Sequence, residues 1–173
     1  MKKIFTLLLA SIFFSAFTLT DLKPADTDGA VTFSIKNFGI STKGEVKGLK
    51  GTIKWDPQNP SASSINASVD VSTINTGIDL RDSHLKKEEY FNAEKYPTIN
   101  FVSTSISAGN ITGNLTIKGT TKSVGFPFTV TPSGNGYLFE GSFTINRKDF
   151  GIGGGSISLS NAATVTLKVL AKP

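Results

Sequence analysis

The sequence predicts an all-β domain of eight antiparallel strands with one short helical insert, and three observations carry that expectation. Apolar and polar residues alternate with period two along most of the chain, as in strands with one buried and one wet face. Glycine, proline and asparagine punctuate the gaps between these runs. One stretch breaks the alternation: TGIDLRDSHLKKEEYFNAEKYPT, residues 76–98, sets Arg81, His84, Lys86, Lys87 and Lys95 beside Asp79, Asp82, Glu88, Glu89 and Glu94.

The chain opens on Lys2 and Lys3 followed by an apolar run from 4 to 17. A basic start and a short apolar core read as a secretory signal, and the run is too short for the roughly 20 residues that cross a bilayer as a helix. The expectation is a signal over 1–20, cut before Asp21, and a domain over 21–173 that is periplasmic or secreted. A retained signal anchor is the alternative.

The strands follow. Val31, Phe33 and Ile35 oppose Thr32, Ser34 and Lys36; Ile65, Ala67, Val69 and Val71 oppose Asn66, Ser68 and Asp70. Val124, Phe126, Phe128 and Val130 share one face, and so do Val165, Leu167 and Val169. Less regular candidates lie at 46–55, 99–106, 111–118 and 137–146. Links this short suit antiparallel neighbours, since a parallel pair needs a helical crossover. Alternation leaves barrel and two-sheet sandwich open, because both hide one face of every strand. In the insert, Asp79 is placed to cap a helix of one or two turns that Pro97 closes off. Leu80, Leu85, Tyr90 and Phe91 are its candidates for seating against the sheet.

Three strands carry glycine on the apolar parity, at Gly51, Gly113 and Gly141. Glycine inside a strand marks a bend, a bulge or the close approach of another group. Bending at barrel corners and room for a ligand beside large rings are both compatible with it.

Composition narrows the chemistry. With no cysteine and one histidine, thiolate sites and disulfides are excluded and a zinc or copper site would have to be carboxylate-rich; no metal is expected. No G-x-S-x-G occurs, and Gly154-Gly155-Ser156-Ile157-Ser158 misses its last position, so the nucleophile–base pair of a hydrolase is missing. The glycines from 151 to 155 lack the Lys-Ser/Thr ending of a phosphate loop and read as a hairpin loop. Without the leader lysines, 16 Lys and Arg face 13 Asp and Glu, and no basic run exceeds Lys86-Lys87. Nucleic acid is therefore not an expected partner.

Three ordered stretches, IDLRDSHLKKEEYFNAEKYPTINFVSTSIS, GNLTIKGTTKSVGFPF and INRKDFGI, resemble the signatures of the YceI-like family of secreted polyisoprenoid-binding proteins. The matching residues include Arg81, Asp82, His84, Leu85, Tyr90, Phe91, Pro97, Phe101, Leu115, Gly119, Lys122, Arg147, Asp149 and Phe150, and the likeness extends over about 31–170. The chain departs at Asn37, where members often carry histidine, and at Tyr90, which replaces a usual phenylalanine.

The resemblance implies an extended, lipocalin-like eight-stranded barrel with a short helical insert over about 79–92 that closes or gates one barrel mouth. It further implies an apolar tunnel holding an isoprenoid chain such as a quinone or polyprenyl phosphate tail. No other cofactor and no catalysis are implied; transient membrane contact and a homodimer are compatible. Candidate tunnel residues are Phe33, Ile35, Ile53, Trp55, Val69, Phe101, Gly113, Leu115, Ile117, Phe126, Phe128, Phe139, Gly141 and Phe143. Mouth or head-group candidates are Asn37, Arg81, Asp82, His84, Arg147 and Asp149, with Arg81 or Asp82 expected to pair with Arg147 or Asp149. The rival is a filled β-sandwich acting as a surface interaction module with loop-borne sites.

Overall fold

A computed structural model of the chain describes residues 19–173, so nearly all of the expected signal lies outside the described residues. The elements in order are β1 (Thr20–Pro24), β2 (Val31–Asn37), β3 (Ile40–Glu45), β4 (Lys50–Trp55), β5 (Ser64–Asp70) and α1 (Asp79–Leu85). They continue with β6 (Thr98–Ser107), β7 (Asn110–Ile117), β8 (Thr120–Ser133), β9 (Gly136–Asn146) and β10 (Leu159–Lys172).

All pairings between these strands are antiparallel. β1 and β2 lie in series along one edge of β10, with Lys23 opposite Lys172 and Val31 opposite Leu167. β3 pairs with β2, and β4 pairs with β1. β1 with β2, and β3 with β4, therefore each form one interrupted long strand, and β5 to β10 complete a ring of eight positions. The β1–β10 pairing closes it. Closure sets aside the sandwich and, except along the outer edge of β3, satisfies the edge groups that an open sheet leaves unpaired.

Tight turns set the registers. Phe38 and Gly39 both have positive φ between β2 and β3, as do Lys118 and Gly119 between β7 and β8, the signature of two-residue hairpins whose twist matches that of the strands. Gly51 (φ 151°) sits where β4 presses on β5: a Cβ there would meet Ala67 Cα at 2.8 Å and overlap the Asn66 carbonyl. This glycine marks backbone contact and not ligand space.

The candidate strand at 46–55 is corrected to start at Lys50, because 46–49 is the break between β3 and β4. The insert is shorter than expected: α1 covers only Asp79–Leu85, and turns carry the chain to β6. Asp79 does not cap it. Ile78 stands at the N-cap position without a side-chain bond. Leu80 does not seat against the sheet and is largely exposed, whereas Leu85 and Phe91 pack on Val71, Ile74 and their neighbours.

Candidate ligand-binding tunnel

One end of the barrel is plugged by aromatic rings. Trp55, at the end of β4, meets Phe139 edge-on at 5.5 Å, Phe128 at 6.2 Å and Tyr137 at 6.4 Å. Edge-to-face geometry of this kind suits the charge distribution of the rings. Leu22 and Ala171 complete the plug where β1 closes on β10. Trp55 is accordingly placed behind the floor and not on the tunnel wall, which Phe128 and Phe139 reach instead.

Above that floor lies a cavity of about 610 Å³. Inward residues of nearly every strand line it, among them Phe33, Ile35, Ile53, Val69, Phe101, Leu115, Ile117, Phe126, Gly141 and Phe143. The wall also takes in Val31, Leu49, Ile65, Ile99, Ile111, Ile145, Val165, Leu167 and Val169, whose inward parity is the signal that finds them. Gly113 is not on the wall: Phe101 lies over it, and a Cβ would meet Phe101 Cε2 at 2.6 Å and the Val102 carbonyl oxygen at 2.7 Å. Gly141 does border the cavity and seats the ring of Phe126, 3.1 Å from where its Cβ would be. Phe126 in turn stacks on Phe143 at 4.6 Å.

The other end is the mouth. There the β2–β3 hairpin projects past β5, and among the described residues no strand pairs with the outer edge of β3 beyond the Glu45–Asn75 bridge. The insert covers this gap, with Thr76, Ile78, Leu80, Arg81, His84, Leu85, Tyr90 and Phe91 all on the cavity wall. Asn37 and Thr42 border it from the hairpin, and Arg147, Ile152, Ser156 and Ser158 from the loop after β9. That loop is held against the insert by the Gly153 amide, which donates to the Glu89 carbonyl at 2.8 Å, and against the β7–β8 hairpin by Lys118 Nζ, which donates to the Gly151 carbonyl at 2.8 Å.

Polar groups at the mouth are arranged differently from the expected ion pairs. Arg81 donates from Nε to Thr76 Oγ1 (2.6 Å) and from Nη2 to the Thr76 carbonyl (2.8 Å). The buried Asp82 carboxylate accepts from the Thr76 amide at 2.9 Å and from its hydroxyl, so this acid anchors the turn before α1 and lies off the cavity wall. Arg147, only 3% exposed, spends its fork on carbonyls: Nε to Ser160 (3.0 Å), Nη1 to Ile152 (2.7 Å) and Gly154 (3.2 Å), Nη2 to Leu159 (3.5 Å). Asp149 is exposed and also off the wall. The ion pairs among the described residues join Lys47 to Asp28 and Glu45, and Lys168 to Glu140. The pairing of Arg81 or Asp82 with Arg147 or Asp149 is thus corrected. Loop carbonyls and Thr76 fill those roles, and no sequence pattern announces them.

A family model described as the YceI-like domain matches residues 22–171. The chain belongs to the YceI-like family. It is 33% identical to the protein YceI of Escherichia coli, with 87% of each chain covered. It is 37% identical to a UPF0312 protein of Pseudomonas paraeruginosa, with 70% of each covered. Among solved structures, BcnA of Burkholderia cenocepacia superposes with a TM-score of 0.78 at 28% identity, covering 87% of this chain and 96% of that one. A polyisoprenoid-binding domain from Saccharophagus degradans gives a TM-score of 0.73 at 14% identity, over 90% and 99% respectively, a likeness of fold. For this YceI-like chain, the three motifs converge on the mouth: the first supplies the insert, the second the β7–β8 hairpin with Lys118, and the third Arg147 and its loop.

Proposed function

We propose that this protein carries a long apolar isoprenoid, of the quinone or polyprenyl phosphate class, inside the barrel and makes no covalent change to it. The observation that carries the reading is the apolar cavity of about 610 Å³, floored by aromatic rings and open at one end, a volume within the roughly 300–1,000 Å³ of small-molecule sites. Burying a CH₂ is worth about 0.8 kcal/mol, hence about 4 kcal/mol for a five-carbon unit before ordering costs are met. An apolar tail therefore supplies the affinity by itself. The head group would rest at the mouth among Arg81, His84 and Arg147. Arg147 has five donors, and four hydrogen bonds to carbonyls leave one for an acceptor on the ligand.

Titration with isoprenoid quinones of increasing tail length tests this. Affinity should rise with each added unit and level off once the cavity is full, and native mass spectrometry of protein from its own host should find a co-purifying lipid. A flat dependence on tail length, with no lipid retained, would reject the carrier.

Export to the periplasm or beyond is part of the same proposal and rests on Lys2, Lys3 and the apolar run after them. A cut before Asp21 keeps Leu22, which is 1% exposed in the barrel plug. Sequencing of the exported chain should begin near Asp21, and a start at Met1 would exclude cleavage.

A further inference from the structure

Bulky apolar side chains are exposed around the mouth, and they come from three separate segments. Phe38 is 79% and Ile40 73% exposed at the tip of the β2–β3 hairpin, Leu80 is 76% exposed at the start of α1, and Ile157 is fully exposed in the loop before β10. These segments share one opening: Asn37 beside Phe38, Leu80 itself, and Ser156 and Ser158 on either side of Ile157 all border the cavity. The Phe38 amide donates to the Ser158 carbonyl at 2.9 Å, joining hairpin tip to loop.

Phe38 is costly twice over. Its φ is 50°, a left-handed conformation that a bulky residue adopts only under constraint and that asparagine or glycine tolerates. Its side chain gains little from the fold, since it stands largely in water. Strain combined with exposure at a binding mouth points to a partner.

The surroundings say which partner. Residues 36–43, KNFGISTK, carry Lys36 and Lys43 and no acid, residues 151–158 carry no charge, and at Leu80 the acid Asp79 is offset by Arg81. Aromatic and aliphatic side chains flanked by lysine suit an anionic bilayer interface, where the rings enter the boundary and the ammonium groups meet head groups. We propose that the mouth rim, Phe38, Ile40, Leu80 and Ile157, docks the open end of the barrel onto an anionic phospholipid surface, so that a lipid passes between bilayer and cavity without crossing water. The occupant follows from continuity: a rim that runs into an apolar cavity is completed by an apolar phase. This inference rests on the carrier reading only for its purpose, since docking is measured without any isoprenoid.

The test uses the mature chain, the Phe38→Asn/Ile157→Asn variant, and vesicles of phosphatidylethanolamine and phosphatidylglycerol at 3:1 free of isoprenoid. Neither substituted residue lines the cavity. The parent should float with the vesicles and be released by salt, and the variant should bind at least tenfold more weakly. The variant's melting temperature should be unchanged or raised, because asparagine relieves the φ at position 38. With a long-chain quinone in donor vesicles, the variant should take it up at least tenfold more slowly, while its affinity for a short-chain quinone in solution stays that of the parent. A parent that does not float overturns the proposal, and so does a variant that floats equally well. Sedimentation showing a parent dimer lost in the variant, with no vesicle binding, assigns the rim to a second copy and also overturns it. Vesicle binding without any isoprenoid uptake keeps the docking and removes the carrier.

Discussion

Gly141→Leu should weaken binding of a long-chain isoprenoid quinone at least tenfold while the barrel still folds. Gly141 borders the cavity between Phe128 on β8 and Leu167 on β10. A Cβ there would lie 3.1 Å from Phe126 Cε2 and 3.2 Å from the Pro127 carbonyl oxygen, a tight fit that a shift of a few tenths of an ångström relieves. The rest of the leucine then has two places to go. It fills the cavity directly, or it drives Phe126 off Phe143 and into the cavity. Overpacking of this kind costs about 1–3 kcal/mol, so melting should fall by several degrees, at about 2–4 °C per kcal/mol for a domain of this size. Gly113→Leu is the contrasting variant. Its side chain would meet the fixed Val102 carbonyl as well as the Phe101 ring, and it should lose more stability. Quinone titration and thermal melts run together decide the matter: a Gly141→Leu protein that binds and melts like its parent shows that the glycine leaves no room a ligand uses.

How these two glycines differ shows where reading the chain stops. Parity put both on the inward face, and both do sit against aromatic rings. What parity cannot give is which neighbour's side chain folds over the gap, and that depends on the β6–β7 and β8–β9 registers. Trp55 is a similar case. It faces inward as expected, but its height along the barrel axis places it behind Phe128 and Phe139.

Strands were legible where they alternate, and two were not. β1 has a single deeply buried residue, Leu22, and stands directly after the apolar run. In β3, ISTKGE, the inward positions are Thr42 and Gly44, and Gly44 is small because the Phe33 ring occupies its side-chain space. Neither segment carries a local hydrophobic signal, and both are strands because β2, β4 and β10 offer them partners. The insert was legible as a helical interruption, and the family motifs marked its residues. Its task at one barrel mouth was legible too, and only the place of the gap was not, since that gap exists because β3 outruns β5.

Arg147 was legible as a motif residue and illegible as a mechanism, because its partners are backbone carbonyls of the loop after β9 and the start of β10. Arg147→Met tests what it does. The substitution keeps an apolar stem and removes every donor, leaving the carbonyls of Ile152, Gly154, Leu159 and Ser160 without the fork that gathers them. An orphaned buried acceptor costs about 1–3 kcal/mol. Residues 154–156 of this loop are exposed, so water recovers part of that, and a net loss of about 2–4 kcal/mol is expected. The loss should be local before it is global. Amide exchange should quicken across 151–160 and, through the Gly153–Glu89 hydrogen bond, at the end of the insert, while β5 to β7 stay protected. Arg147→Lys keeps the charge without the planar fork and should recover only part of the protection. With the loop released the mouth should stay open, so that quinone leaves faster and equilibrium affinity falls with it. If exchange in 151–160 is the same in the methionine variant and the parent, the guanidinium does not hold the loop.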